Sequence, residues 1–97
     1  MSDEPVQTFA SVWDALEETS EGAANMRLRS ELAIAVRSAV EGWGVTQAEA
    51  ARRLGVTQPR LNDLLRGRIA RFSLDALVRL TERAGLAVRM EIGRAAA

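Results

Sequence analysis

The stretch from Thr46 to Gly67, TQAEAARRLGVTQPRLNDLLRG, constrains the fold of this chain more than any other part. Thr46 and Glu49 form the Thr-x-x-Glu pattern that caps the start of a helix. Thr57-Gln58-Pro59 caps a second start, because proline in the first turn lacks only an N–H that has no partner there. Gly55, between them, accepts the positive φ that commonly ends a helix. The stretch therefore predicts two short helices joined by a tight turn.

The spacing of apolar residues allows these two helices to cross closely. Ala51 is small at the predicted crossing. The residues expected to form the buried seam are Ala50, Leu54, Val56, Leu61, Leu64 and Leu65. The other side of the second helix is polar and able to form hydrogen bonds, with Gln58, Arg60, Asn62 and Asp63 on it.

Three more helices are predicted outside this stretch. Ser11-Val12-Trp13-Asp14 fits the Ser-x-x-acid capping pattern of a short helix that ends at about Glu18. A long helix is expected from Ala23 to Trp43, and Ser73 caps a last helix that Gly85 stops. The apolar face of the long helix recurs at three- and four-residue steps and comprises Leu28, Leu32, Ala35, Val36, Ala39, Val40 and Trp43.

The pattern changes to a period of two near the end of the chain, which predicts one strand over residues 86–92. A lone strand leaves its backbone groups unpaired, so we expect the same strand of a second copy to pair with it across a two-fold axis. The arm around Val6 is the internal alternative, but Pro5 and its short length make it a poorer partner. The residues expected to support dimerisation are Leu86, Val88, Arg89, Met90 and Ile92.

A chain of 97 residues is the size of one domain with one core. We therefore expect a mainly α fold with five helices and one C-terminal strand. Residues 1–8 are expected to be a flexible N-terminal arm. A single domain is expected over residues 9–92, followed by a frayed tail over residues 93–97.

The composition argues against catalysis. The chain has no Cys and no His, so disulfides and thiolate chemistry are excluded and a zinc site would need carboxylates alone. The commonest general base is missing, and no other group of residues replaces it. We therefore expect a protein that is not an enzyme and that holds neither a metal nor a cofactor.

A net charge of zero conceals two oppositely charged segments. Residues 1–31 contain seven acidic residues and two arginines, whereas residues 52–71 contain six arginines and a single acid, Asp63. Such a distribution indicates two partners or two faces, with an anion as one candidate partner. No apolar run approaches the length of a membrane span, and the N-terminus is acidic where a signal peptide is basic. We therefore expect a cytoplasmic protein without a membrane partner.

The stretch from Thr46 to Gly67 resembles the helix-turn-helix of phage-repressor-like (Xre/Cro family) regulators. The residues that match the spacing of this family are Gln47, Ala51, Gly55, Leu61 and Leu64, with Gly67 ending the second helix. Residues 26–29, 66–69 and 72–75 extend the resemblance to small HigA-like antitoxins, over about Phe9 to Ile92. The resemblance implies a five-helix lambda-repressor-like domain.

The resemblance also implies DNA contacts. The helix from Gln58 to Arg66 would be the recognition helix in the major groove. Gln58 would pair with adenine, Pro59 would touch a thymine methyl group, and Arg60 would reach either guanine or a phosphate. Asn62 and Asp63 complete the candidate base contacts, with Asp63 accepting from cytosine. The candidate contacts to the DNA backbone are Gln47, Thr57, Arg66 and Arg68.

Simpler interpretations exist for several of these residues. Gln47 and Thr57 are placed where they would cap helices, and Asp63 could repel phosphate instead of reading a base. Arg52 and Arg53 fit an ordinary solvated helix face. The acidic N-terminal segment suits a basic protein partner, and it suits a solvated acidic helix equally well.

Taken together, these residues predict a homodimeric, sequence-specific repressor that binds a palindromic site in double-stranded DNA. The subfamily resemblance adds an antitoxin that neutralises a small basic toxin protein and represses its own operon. The alternatives are a stand-alone regulator of the Xre type without a toxin, and a helix-turn-helix used mainly for protein–protein neutralisation.

Overall fold

Four α-helices and one 3-10 turn make up the regular structure of residues 20–95, which are the residues that the computed structural model describes. The helices are α1 (Ser20–Trp43), α2 (Gln47–Leu54), α3 (Gln58–Leu65) and α4 (Leu74–Arg83), and the 3-10 turn Ile69–Arg71 lies between α3 and α4. The mainly helical architecture is confirmed. The predicted helix over residues 11–18, the predicted arm over residues 1–8 and the alternative pairing at Val6 lie outside the described residues.

The long helix α1 buries most of the predicted face, with Val36 and Val40 in the core and Leu32 and Trp43 packed against it, but not Leu28. Leu28 is 52% exposed, whereas the next residue, Arg29, is only 5% exposed, and Ala33 is buried as well. Arg29 can occupy the interior because its Nη1 donates a 3.1 Å hydrogen bond to the backbone carbonyl of Phe72. The predicted stripe is therefore wrong only at Leu28, near the start of the helix, and the core also takes in Arg29 and Ala33.

One hydrophobic core joins all four helices. α1 packs mainly against α4, while α2 and α3 pack against each other, with α3 also contacting α1 and α2 also contacting α4. The largest fully buried side chains are Phe72, Leu54, Leu61, Leu64, Leu77 and Val36. Phe72 lies between the 3-10 turn and α4, so the loop after α3 is anchored in the core.

The turn between α2 and α3 has the predicted geometry. Gly55 ends α2 with a φ of 73°, and its N–H bonds to the carbonyl of Arg52 while the N–H of Val56 bonds to that of Ala51. The guanidinium of Arg83 packs directly against the α-carbon side of Gly55, where a β-carbon would collide with it. Glycine is therefore favoured here for its φ, and any other residue would also have to displace the Arg83 guanidinium.

The predicted C-terminal strand is absent from the single chain. Residues 86–95 follow α4 without helix or strand, and no other described segment pairs with them. Leu86 to Arg89 line a groove against Leu32 and Ala35 of α1. Leu86, Val88, Met90 and Ile92 are exposed. A ladder requires a second strand, so pairing of this segment across a dimer stays a prediction.

Candidate nucleic-acid interface

Two helix starts, those of α2 and α3, are built in the same way. The Thr46 Oγ1 accepts a 3.1 Å hydrogen bond from the N–H of Glu49, and the Thr57 Oγ1 accepts one of 3.2 Å from the N–H of Arg60. The cap of α2 is thus Thr46 and not Gln47, which stands exposed as the first residue of the helix. Thr57 is a true cap, yet its hydroxyl hydrogen is still a donor, because only an oxygen lone pair is used.

The outward side of α3 carries a short row of exposed or half-buried residues. Leu61 and Leu64 face the core, which turns Gln58 and Pro59 to the surface and leaves Asn62 half-buried. Arg66, the C-cap residue of α3, is exposed at the other end of this side. We call this row of residues the outer face of α3; it consists of Gln58, Pro59, Asn62 and Arg66. Four of the predicted DNA contacts are thus brought together.

Arg60 is not on the outer face of α3. Its guanidinium lies 3.9 Å from the centroid of the Phe72 ring, and its Nη1 donates a 2.8 Å hydrogen bond to the carbonyl of Arg71. Both contacts join α3 to the loop that follows it. The geometry therefore gives Arg60 a structural role, which the sequence interpretation of base or phosphate contact did not include.

Asp63 is paired within the protein. Its Oδ1 accepts hydrogen bonds from the Nη1 atoms of Arg68, at 3.0 Å, and Arg71, at 2.9 Å. The hydrogen bond from Arg68 and the positive charge of Arg71 hold the pKa of this carboxyl below its ordinary value. Asp63 is thus an ionised carboxylate with two cationic partners, an arrangement that leaves the predicted acceptance from cytosine without geometric support.

Arg71 is a functional candidate that the sequence analysis missed. It lies eight residues beyond Asp63, after α3 has ended, so no helical periodicity relates the two residues. The only available signal was its place in the arginine-rich segment of residues 52–71. The fold places Arg71 next to Asp63 because the 3-10 turn Ile69–Arg71 reverses the chain beside α3.

The remaining arginines of this segment, Arg52 and Arg53, are engaged by Glu49. Both donate to its carboxylate, and these hydrogen bonds lower the pKa of Glu49 from 4.5 to about 2. The guanidinium of Arg53 also lies 5.1 Å from the ring centroid of Trp43, at the end of α1. The exposed face of α2 is therefore an ion-paired surface, and the pairing with Glu49 was not part of the sequence prediction.

Two further properties of the described residues bear on function. Within residues 20–95, no group of three or more acidic side chains is arranged to hold a metal ion. Over the same described part, none of the helices combines the length and apolar character that crossing a bilayer demands.

Comparison with known proteins agrees with this geometry. A family model described as a helix-turn-helix domain matches residues 15–93, a range that includes all of α2 and α3. No curated protein gives a significant match to the chain.

Proposed function

We propose that this chain, which belongs to the helix-turn-helix domain family, is a sequence-specific DNA-binding transcriptional regulator. The observation that carries the proposal is the outer face of α3, which presents Gln58 and Pro59 beside a capped helix start. Helix starts carry partial positive charge and outward N–H groups, so they suit the phosphate-lined edge of a DNA groove.

In this proposal α3 enters the major groove and the outer face of α3 contacts the base edges. Gln58 pairs through its amide with the N6 and N7 atoms of adenine, and Pro59 packs on a thymine methyl group. Asn62 lies one turn after Gln58 and adds a second amide. Gln47 and the hydroxyl of Thr57 donate to phosphates, which fixes the orientation of the protein without reading sequence.

The arginines at the C-terminal end of α3 supply the electrostatic part of binding. Arg66, at the C-terminal end of the outer face of α3, and Arg68, just beyond the helix, are both exposed. Their contacts with phosphates release counterions, so affinity should fall steeply as salt rises. The acidic segment over residues 1–31 and the basic segment over residues 52–71 then serve different partners.

A dimer completes this proposal. Two copies joined at residues 86–92 would place two α3 helices about 34 Å apart, so that they meet successive major grooves of a palindromic site. The exposed apolar side chains of Val88, Met90 and Ile92 support this pairing, since a chain on its own leaves them in water.

Selection from a random DNA library tests the proposal. The whole protein should enrich a palindromic sequence, and a duplex of that sequence should bind at least about 1000-fold more tightly than a scrambled duplex at physiological salt. Equal affinity for all duplexes would contradict sequence-specific regulation, and the absence of salt-dependent binding would contradict DNA binding altogether.

Neutralisation of a toxin is a second proposed activity, which can coexist with the first. The observation in its favour is the acidic segment over residues 1–31, which suits a small basic protein. Deletion of residues 1–21 removes six of the seven acidic residues of this segment. Titration calorimetry with the basic protein encoded beside this gene should show weaker binding after that deletion, with DNA binding retained. Unchanged affinity for the basic protein would show that the acidic segment is not part of the interface.

A further inference from the structure

The loop after α3 holds two arginines on a single oxygen atom. Arg68 and Arg71 both donate to the Oδ1 of Asp63, through bonds of 3.0 and 2.9 Å. The Asp63 side chain is only 18% exposed, whereas those of Arg68 and Arg71 are 43% and 60% exposed. The carboxylate therefore lies beneath the two guanidinium groups, which remain open to solvent.

Each guanidinium retains the ability to bind an anion. It carries five N–H donors in a planar fork, and the Nη1 contact with Asp63 uses only part of them. Two guanidinium groups held on one carboxylate oxygen also keep a net positive charge together with it. This combination suits a phosphate group, which accepts several charge-assisted hydrogen bonds at once.

The backbone fixes these two arginines relative to α3. The N–H of Arg68 donates to the carbonyl of Asp63 at 2.9 Å, and the N–H of Arg71 donates to the carbonyl of Arg68 at 3.1 Å. The carbonyl of Arg71 in turn accepts the hydrogen bond from Arg60. Phe72 is buried directly after Arg71, so the loop is anchored at both ends.

Arg68 and Arg71 also lie on the side of the molecule that carries the outer face of α3. Asp63 follows Pro59 by four residues, which places it one helical turn along the same side of α3. The two arginines therefore border the outer face of α3, where a groove edge would run if α3 read the bases.

From these contacts we infer that Asp63 is a positioning residue, which aims Arg68 and Arg71 as a two-arginine clamp at a DNA backbone phosphate. The inference rests on the proposed DNA binding and assigns Arg71 a contact that the sequence analysis did not. The inference predicts that Asp63→Ala changes DNA affinity in the direction opposite to the one expected for loss of an acid. Removing an acid beside DNA ordinarily strengthens binding, because repulsion of phosphate is lost, whereas removing a positioning carboxylate weakens it.

Binding of the whole protein to its selected duplex and to a scrambled duplex, measured at several salt concentrations, tests this inference. Arg71→Ala should weaken binding to both duplexes and lower the salt slope by about 1. Asp63→Ala should also weaken both and lower the slope. Arg37→Ala is the matched control for the loss of one positive charge, because Arg37 is exposed on α1 and paired with Glu41 of the same helix. It should leave the slope unchanged.

Asp63→Ala in a background that already lacks both arginines separates positioning from a general effect on the fold. If Asp63 acts through the two arginines, adding Asp63→Ala to an Arg68→Ala and Arg71→Ala background should cause no further loss of affinity. Tighter binding by Asp63→Ala alone, or a further loss in that background, would overturn the inference. If a thermal unfolding control shows that Asp63→Ala does not fold, Arg71→Ala tests the inference by itself. An unchanged salt slope of Arg71→Ala would then overturn the inference. If the wild-type protein binds neither duplex, the proposed function has failed instead.

Discussion

The guanidinium of Arg60 stacks on the ring of Phe72, 3.9 Å from its centroid, and bonds to the carbonyl of the residue before it. Phe72 is among the most deeply buried side chains of the described chain, and its own carbonyl accepts the hydrogen bond from Arg29 of α1. Two arginines from different helices thus hold one aromatic residue, and through it the loop between α3 and α4. Arg60 thus adds a link between α3 and this loop to the packing of Leu61 and Leu64 in the core.

The main effect of substituting Arg60 should therefore be a loss of stability. We expect Arg60→Ala to lower the free energy of unfolding by about 1–2 kcal/mol, because a cation–π contact and a hydrogen bond are lost together. Urea unfolding measures this. Arg66→Ala is the matched control, since Arg66 is exposed, and it should change stability by less than about 0.5 kcal/mol. Equal stability of the two variants would contradict the structural role of Arg60.

The ion pairs of Glu49 predict a dependence of stability on pH. Because the hydrogen bonds from Arg52 and Arg53 lower the pKa of Glu49 from 4.5 to about 2, its carboxylate stabilises the folded state above pH 4.5. This contribution is lost as the pH falls from 4.5 towards 2. The wild type should exceed Glu49→Gln in stability at pH 7, and the difference should shrink in that acidic range.

Unfolding by urea at pH 7, 4.5 and 3 checks this dependence. Glu82→Gln, at an exposed position on α4, is the control for replacing a carboxylate with an amide in a helix. A difference between wild type and Glu49→Gln that stays constant over these pH values would show that the ion pairs do not hold the carboxylate ionised.

The proposed dimer predicts that proline within residues 86–92 disrupts assembly. Proline cannot donate to a ladder, and in the predicted strand Val88 and Arg89 would present their N–H groups to opposite edges. At least one of Val88→Pro and Arg89→Pro should lower the dimer fraction in analytical ultracentrifugation and weaken operator binding, because the second half-site loses its tether. Ala95→Pro, beyond the predicted strand, should have neither effect. Two dimeric proline variants with unchanged operator affinity would show that this segment does not hold the dimer together.

The features that the sequence predicted correctly are those that act over a few residues. Thr57 and Ser73 cap their helices by bonding to the N–H groups of Arg60 and Ala76, three residues away. Gly55 ends α2 through its own backbone angle. Such local geometry is set by the residue types themselves, so the helix-turn-helix was predictable without a structure.

The features that the sequence could not predict depend on distant partners. Arg60 and Phe72 are separated by twelve residues, and only the reversal of the chain at Ile69–Arg71 brings them together. Arg29 is buried while Leu28 is exposed, and its guanidinium bonds to the carbonyl of Phe72, far along the chain. The C-terminal strand predicted over residues 86–92 stays a prediction, since its expected partner belongs to another molecule.

The central claim is that the outer face of α3 reads DNA sequence, and Gln58 tests it most directly. Fluorescence anisotropy with the selected duplex and a scrambled duplex should show that Gln58→Ala loses about 1–3 kcal/mol of binding free energy on the selected duplex and almost nothing on the scrambled one. Arg66→Ala should weaken both duplexes alike. If Gln58→Ala instead weakens both duplexes equally, or neither, then the side chain at the start of α3 does not read a base and the proposed recognition helix is wrong.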